Sequence, residues 1–216
     1  MKRLIIFACI LAGTFSAHRA LACTGITLHT ANNYPVTART IEWAATPLHA
    51  MYVIVPRGQQ QRSFLPDGTL AGKTFTAKYG YVGISVENDA FVMEGINEAG
   101  LGVGLFYFPQ YGEYQPYDPQ KKEQSVSDMQ LAAWILSSFA SINELQAAMP
   151  QIRVIATDPR ASTVHWRITE SSGRQVVLEI VNQHVHFYEN PLGVLTNSPD
   201  FGWHLTNLNN YVNLSS

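Results

Sequence analysis

The chain has 216 residues, 46% of them hydrophobic and 11% aromatic, which supplies enough apolar material for one core and makes a single domain the default. Its 14 basic and 16 acidic residues leave a formal net charge of −2, a balance that argues against nucleic acid as a partner, because phosphate binding needs a clustered basic face. Nowhere does the sequence reach the run of ~20 apolar residues that a membrane-spanning helix needs, so no stable membrane insertion is expected.

Residues 1–22 read as a signal peptide. Lys2 and Arg3 form a charged start, Leu4 to Phe15 a short apolar run, and Ala20-Leu21-Ala22 places small residues at the two positions that a signal peptidase reads. Export to the periplasm or the medium follows, with residues 23–216 as the mature domain. Cleavage after Ala22 removes three basic residues and no acidic one, so the balance moves to 11 basic against 16 acidic, a net of −5. It also removes Cys9 and leaves Cys23 as the only cysteine. A single thiol in an oxidising compartment makes no intramolecular disulfide, so it calls for a chemical explanation.

Three readings compete for Cys23: a buried structural cysteine, a lipoprotein anchor and a nucleophile. The first does not account for a cleavage signature ending at the preceding residue. The second normally has a larger aliphatic residue where Ala20 stands. In the third, thiol and α-amine belong to one residue, and an amine titrating near neutral pH serves as general base without a histidine.

The first half of the mature chain is a series of short β-rich runs: "CTGITLH" 23–29, "YPVTART" 34–40, "MYVIVP" 51–56, "YGYVGISVE" 79–87, "FVMEGI" 91–96 and "LGVGLFYF" 101–108. Turns rich in Asn, Gly, Pro or Asp bound them, and the first two are expected to form a hairpin. The period changes over residues 125–150, where Met129, Ala132, Ala133, Ile135, Leu136 and Phe139 recur at helical spacing behind a Ser127-Asp128 start. Ser141 with Glu144 reads as a capping box for a second helix ending at Pro150. Strands resume at 162–170, 175–182 and 184–189. Strands, two helices, then strands again predict an α+β layered domain.

Arg39, Glu42 and Trp43 lie in "ARTIEW". A second strand folded back on the first brings them beside Cys23, where a fixed positive charge favours the thiolate and a carboxylate can orient the amine. Alone, such a pair is more often a solvated ion pair. His184 and His186 share a strand face but have no third ligand at zinc-like spacing. No metal or cofactor is expected.

The segments "CTGITLHTANNYPVTARTIEW", "PRG", "INEAGLGVGLFYFP" and "PLGVLTNSPDFGWHLTNLNNY" together resemble the choloylglycine hydrolase family of N-terminal nucleophile hydrolases, in order from residue 23 onward. The resemblance implies a four-layer αββα sandwich and hydrolysis of a linear amide by a terminal cysteine. It implies Cys23 as nucleophile and base, Arg39 as the arginine beside it, and Asn197 as the side-chain amide that stabilises the oxyanion. Glu42 stands where the family more often has aspartate. Tyr107 falls where penicillin V acylases tend to carry tyrosine and bile acid hydrolases asparagine; its N–H would be the second oxyanion donor and its ring would suit an apolar acyl group. Trp43 would line the acyl pocket, though a tryptophan at a strand end is equally a core residue. The expected partner is a small N-acyl amide, of the penicillin V type, with bile acid conjugates and N-acyl homoserine lactones as alternative substrates. From another class come an inactive fragment or a lipid-anchored binding protein. Members of the resembled family continue beyond the position of Ser216 and carry there another active-site arginine, so the sandwich is expected to be truncated at its C-terminal end; at full length such enzymes are often homotetramers.

Overall fold

The computed structural model describes residues 23–32, 34–42, 48–158 and 162–213. The expected signal peptide and Trp43 therefore lie outside the described residues.

Two neighbouring strands, β11 (Val164–Thr169) and β12 (Gln175–Val181), are buried along all but their last residue. A strand shows side chains to its two faces in turn, so burial of both sets means that the sheet is covered on both sides. The two faces differ. Val164, Trp166 and Ile168 with Val176, Leu178 and Ile180 join the main apolar core. His165, Arg167, Gln175 and Glu179, equally buried, alternate with them. One face thus packs on helices, and the other meets a second sheet through polar groups.

The sheet that carries them has seven antiparallel strands in the order β13 (His184–Glu189), β12, β11, β8 (Gly102–Tyr107), β7 (Asn88–Asn97), β6 (Tyr81–Val86) and β3 (Ala50–Val55). Helices Leu131–Ser138 and Ile142–Ala148 cover its apolar face, with Leu131, Ala132, Ile135, Leu136, Ile142 and Leu145 fully buried. The second helix begins as the sequence predicts: Ser141 Oγ accepts from Glu144 N at 3.2 Å. The Glu144 carboxylate reaches back to Ala140 N at 2.9 Å, one residue before the cap. The first helix differs from expectation. The Ser127 side chain makes no cap bond, and a 3₁₀ turn over Asp128–Gln130 precedes the helix proper. Asp128 instead takes Thr157 N and Met129 N on one carboxylate oxygen, at 2.8 and 2.9 Å, tying the helix start to the chain beyond β10 (Arg153–Ile155).

The opposite face is met by a three-stranded sheet in the order β14 (Leu195–Thr196), β1 (Thr24–His29) and β2 (Pro35–Thr40). The predicted hairpin is present, in register from Thr24 opposite Thr40 to His29 opposite Pro35. A further helix, Phe201–Leu208, follows β14, capped by Asp200, which accepts from Trp203 N. Its first residue, Phe201, is buried with Cys23, Phe106, Val177 and Leu195 at the inner side of the small sheet, and Thr24, Leu192, Leu195, Leu205 and Leu208 line a groove between the helix and that sheet. Helices, large sheet, small sheet and this helix make up the stacked-sheet arrangement of an αββα sandwich. A hairpin of β4 (Gln60–Phe64) and β5 (Leu70–Thr76), absent from the sequence reading, turns through Asp67 and Gly68.

Candidate active site

Gly25 explains why the two sheets come so close at β1. A Cβ placed there would lie 2.6 Å from Phe106 Cζ and 2.7 Å from Arg167 Nη1. Only a bare backbone fits, so the first strand rests directly on Phe106 and Arg167 of the large sheet. Cys23, two residues earlier on the same face, is buried in a small cluster with Phe106, Val177, Leu195 and Phe201.

Pairing then assembles the predicted residues around it. Arg39 is opposite Gly25 on β2, and β14 pairs on the other side with Thr24 opposite Thr196 and Gly25 opposite Leu195. Continued one step beyond the Thr24–Thr196 pair, that register leads from Cys23 toward Asn197, the residue that follows β14. The Arg39 side chain lies at the thiol from the other neighbouring strand.

The Arg39 side chain is only 5% exposed. It donates to the backbone carbonyls of Thr40 at 3.1 Å, Met93 at 3.2 Å and Leu105, and its guanidinium lies 4.2 Å from the centre of the Phe106 ring. Burial pushes it below its ordinary pKa, while the nearby Cys23 and Glu94 pull it back up. Arg167 reaches the same place from β11, donating to Ile26 O at 3.2 Å, with its guanidinium 5.6 Å from the Phe106 centre. Glu94 on β7 ties the two together, 3.2 Å from Arg167 and 3.8 Å from Arg39. Burial raises the Glu94 carboxyl above the usual range, and the Arg167 and Arg39 charges pull it down. The strand between them makes this contact possible. Gly104 pairs with both Glu94 and Arg167, and a Cβ there would sit 2.2 Å from the Glu94 carboxylate. Two guanidiniums against one carboxylate leave the floor beneath Cys23 with net positive charge, a setting that favours negative charge on a group bound above it.

The other predicted residues fare differently. Glu42 is exposed beyond the end of β2, and among the described residues it makes no ion pair. The carboxylate that reaches the site is the partly buried Glu94. Strand alternation turns the Tyr107 ring to the face opposite Phe106, where its hydroxyl donates to Ser162 Oγ at 2.8 Å. His184 and His186 are exposed on β13, His184 with its ring on Asn182 O, and among the described residues no group of three metal-ligating side chains occurs. A cavity of about 650 Å³ between β3 and the β4–β5 hairpin is lined by none of the predicted site residues.

Sequence reasoning missed Glu94, Arg167, His165 and Glu179. A signal was present: each is a polar residue at alternate positions inside an apolar strand, in "FVMEGI", "VHWRIT" and "QVVLEIV".

Comparison with known proteins agrees with this architecture. A family profile described as linear amide C–N hydrolases, choloylglycine hydrolase family, matches residues 23–216. A bile salt hydrolase/transferase of Clostridium perfringens is 29% identical over 89% of this chain and 58% of its own. A penicillin V acylase of Pectobacterium atrosepticum is 28% identical over 94% of this chain and 56% of its own. The crystal structure of an arginine variant of conjugated bile acid hydrolase from Clostridium perfringens superimposes with a TM-score of 0.74 at 29% identity, covering 89% of this chain and 58% of that one. The chain therefore spans somewhat over half the length of the curated relatives it matches.

Proposed function

Because the chain belongs to the choloylglycine hydrolase family of linear amide C–N hydrolases, we propose that it is exported and hydrolyses a small N-acyl amide through the thiol of Cys23, freed at the N-terminus by cleavage after Ala22. The observation that carries this reading is a buried thiol beside Arg39, above a floor with net positive charge and next to the strand that leads into Asn197. In the proposed reaction the α-amine of Cys23 takes the thiol proton and sulfur attacks the amide carbon. The Asn197 side-chain amide and the Tyr107 N–H receive the oxyanion. The ammonium then protonates the leaving nitrogen, and water hydrolyses the thioester.

The acyl group is proposed to be of the penicillin V type on the family position of Tyr107 alone, because its ring faces away from Cys23 and reaches Ser162 instead. The relatives at similar identity include proteins named for bile salts as well as for penicillin V, so substrate is the point to test. Penicillin V, glycocholate and a long-chain acyl homoserine lactone are assayed side by side with the wild type and Cys23→Ala. Penicillin V turnover that Cys23→Ala abolishes, with its thermal unfolding unchanged, supports the reading. Preference for glycocholate overturns the choice of substrate, and hydrolysis that survives in Cys23→Ala overturns the mechanism. Intact-mass analysis of the secreted product separates a free terminal cysteine from a lipid-modified one.

A further inference from the structure

Behind Asn197 lies a second buried polar group that the reaction above does not use. His165 and Glu179 are fully buried on β11 and β12, on the face toward the small sheet. His165 Nδ1 lies 2.9 Å from Glu179 Oε1, and its Nε2 lies 2.9 Å from the carbonyl oxygen of Thr196, the residue before Asn197. A carbonyl oxygen only accepts, so Nε2 bears a hydrogen and donates it. Nδ1 and Oε1 cannot face each other with lone pairs at that distance, so one proton is shared between them. The same Oε1 accepts Phe201 N at 2.9 Å, at the start of the last helix. The ring is clamped flat against Phe108, with centres 4.3 Å apart and planes 8° from parallel, and Phe106 meets it edge-on.

The segment so held is short and carries Asn197 at its middle. Thr196 O is fixed by His165, Asn197 O accepts from His204 Nε2 at 3.1 Å, and Ser198 Oγ donates to Pro109 O at 2.7 Å. Three consecutive residues are thus tied to the large sheet, to the last helix and to the end of β8. Of the three anchors only His165 is buried at every atom and locked by a second hydrogen bond and by stacking.

We propose that His165, backed by Glu179, is a positioning residue that sets the Asn197 side-chain amide against Cys23. This rests on Asn197 being an oxyanion donor. A rigid sheet then holds the donor where charge develops, so no hydrogen bond needs to be rearranged as the carbonyl becomes tetrahedral. A displacement of about 1 Å at such a donor costs up to ~10²-fold in rate.

The test is a double-mutant cycle on the wild type, His165→Gln, Asn197→Ala and the pair, with kcat and KM measured for whichever of penicillin V and glycocholate is turned over. His165→Gln is expected to lower kcat by about 10- to 100-fold with KM little changed, and to add almost nothing once Asn197 is alanine. Val164→Ala, on the same strand but facing the helices, controls for stability alone and should leave kcat unchanged. Full additivity of the two substitutions, or an unchanged kcat in His165→Gln, overturns the proposal. If the wild type hydrolyses neither compound, nor the long-chain acyl homoserine lactone, the amidase reading fails by itself, and the positioning role is read from the Asn197 side-chain amide signal in nitrogen-15 NMR. A signal displaced by His165→Gln and not by Val164→Ala supports it; a signal indifferent to both sinks it.

Discussion

A glycine controls the charge beneath the candidate nucleophile. Glu94 and Arg167 stand on strands that flank β8, and their side chains can meet only by crossing Gly104, which has none. An added methyl would displace a carboxylate oxygen now 2.2 Å from the Cβ position. The carboxylate is the movable party, so the strain falls on the ion pairs rather than on the backbone. Gly104→Ala is therefore expected to lower stability by about 1–3 kcal/mol, read as the urea midpoint. The cost should largely vanish in a Glu94→Ala background, where nothing occupies the space. If Gly104→Ala costs the same with and without Glu94, the clash lies elsewhere and Glu94 is not what Gly104 accommodates. The Glu94 side chain is a quarter exposed, so the gross attraction of its two ion pairs is partly screened and the removal of Glu94 alone should be milder than that of a sealed ion pair.

Local signals dictate the elements, and they could be read where the cause was local. Ser141 and Glu144 mark a helix start by reciprocal hydrogen bonds within a few residues, and the structure keeps the first of these bonds as expected. Ser141→Ala should cost about 1 kcal/mol, measured by thermal unfolding, and no loss would mean that tertiary contacts alone hold this helix. Asp128 shows the reverse. It reads as a cap from sequence, yet its carboxylate is buried and bonds to Thr157, some thirty residues on. Burial raises its pKa above the ordinary value, against its hydrogen bonds. A carboxyl raised in the folded state stabilises while it is protonated, and that contribution is lost as pH rises through its folded pKa. Asn at this position keeps the accepting oxygen without the charge. Asp128→Asn should thus match or exceed the wild-type urea midpoint at pH 7, with the advantage shrinking as pH is lowered toward 4; an advantage that grows on acidification would contradict the assignment. The same division explains the site. Arg39 could be set beside Cys23 because the first hairpin is a local structure, whereas Asn197 entered only through the resemblance of its contiguous segment. Glu94, Arg167, His165 and Glu179 look like interruptions of apolar strands until a second sheet is known to cover that face.

At the scale of the whole molecule, the two sheets do not match in width. Among the described residues, three strands face seven, and they cover the large sheet from β12 to β7 while leaving its face at β6 and β3 open. The register shows what that exposes. Glu94 pairs with Ile84 and Ile84 with Tyr52, while Ile96 pairs with Val82 and Val82 with Ile54, so all share the face on which the small sheet sits. Tyr52 is 91% and Ile54 78% exposed, with Val82 and Ile96 about half exposed. Isolated apolar side chains on a surface are ordinary, but four adjoining ones across three strands form a patch of the kind that drives association. The chain from Cys23 to Ser216 should therefore bind an environment-sensitive dye such as ANS in its native state and self-associate as its concentration rises. Ile54→Lys with Tyr52→Lys should suppress both, because these two residues lie on an edge strand where charge is tolerated and flat pairing is blocked. Sedimentation velocity on the two proteins decides it. A wild-type chain that stays monomeric at high concentration and leaves the dye dark would mean that this face is covered in solution by something other than a second copy.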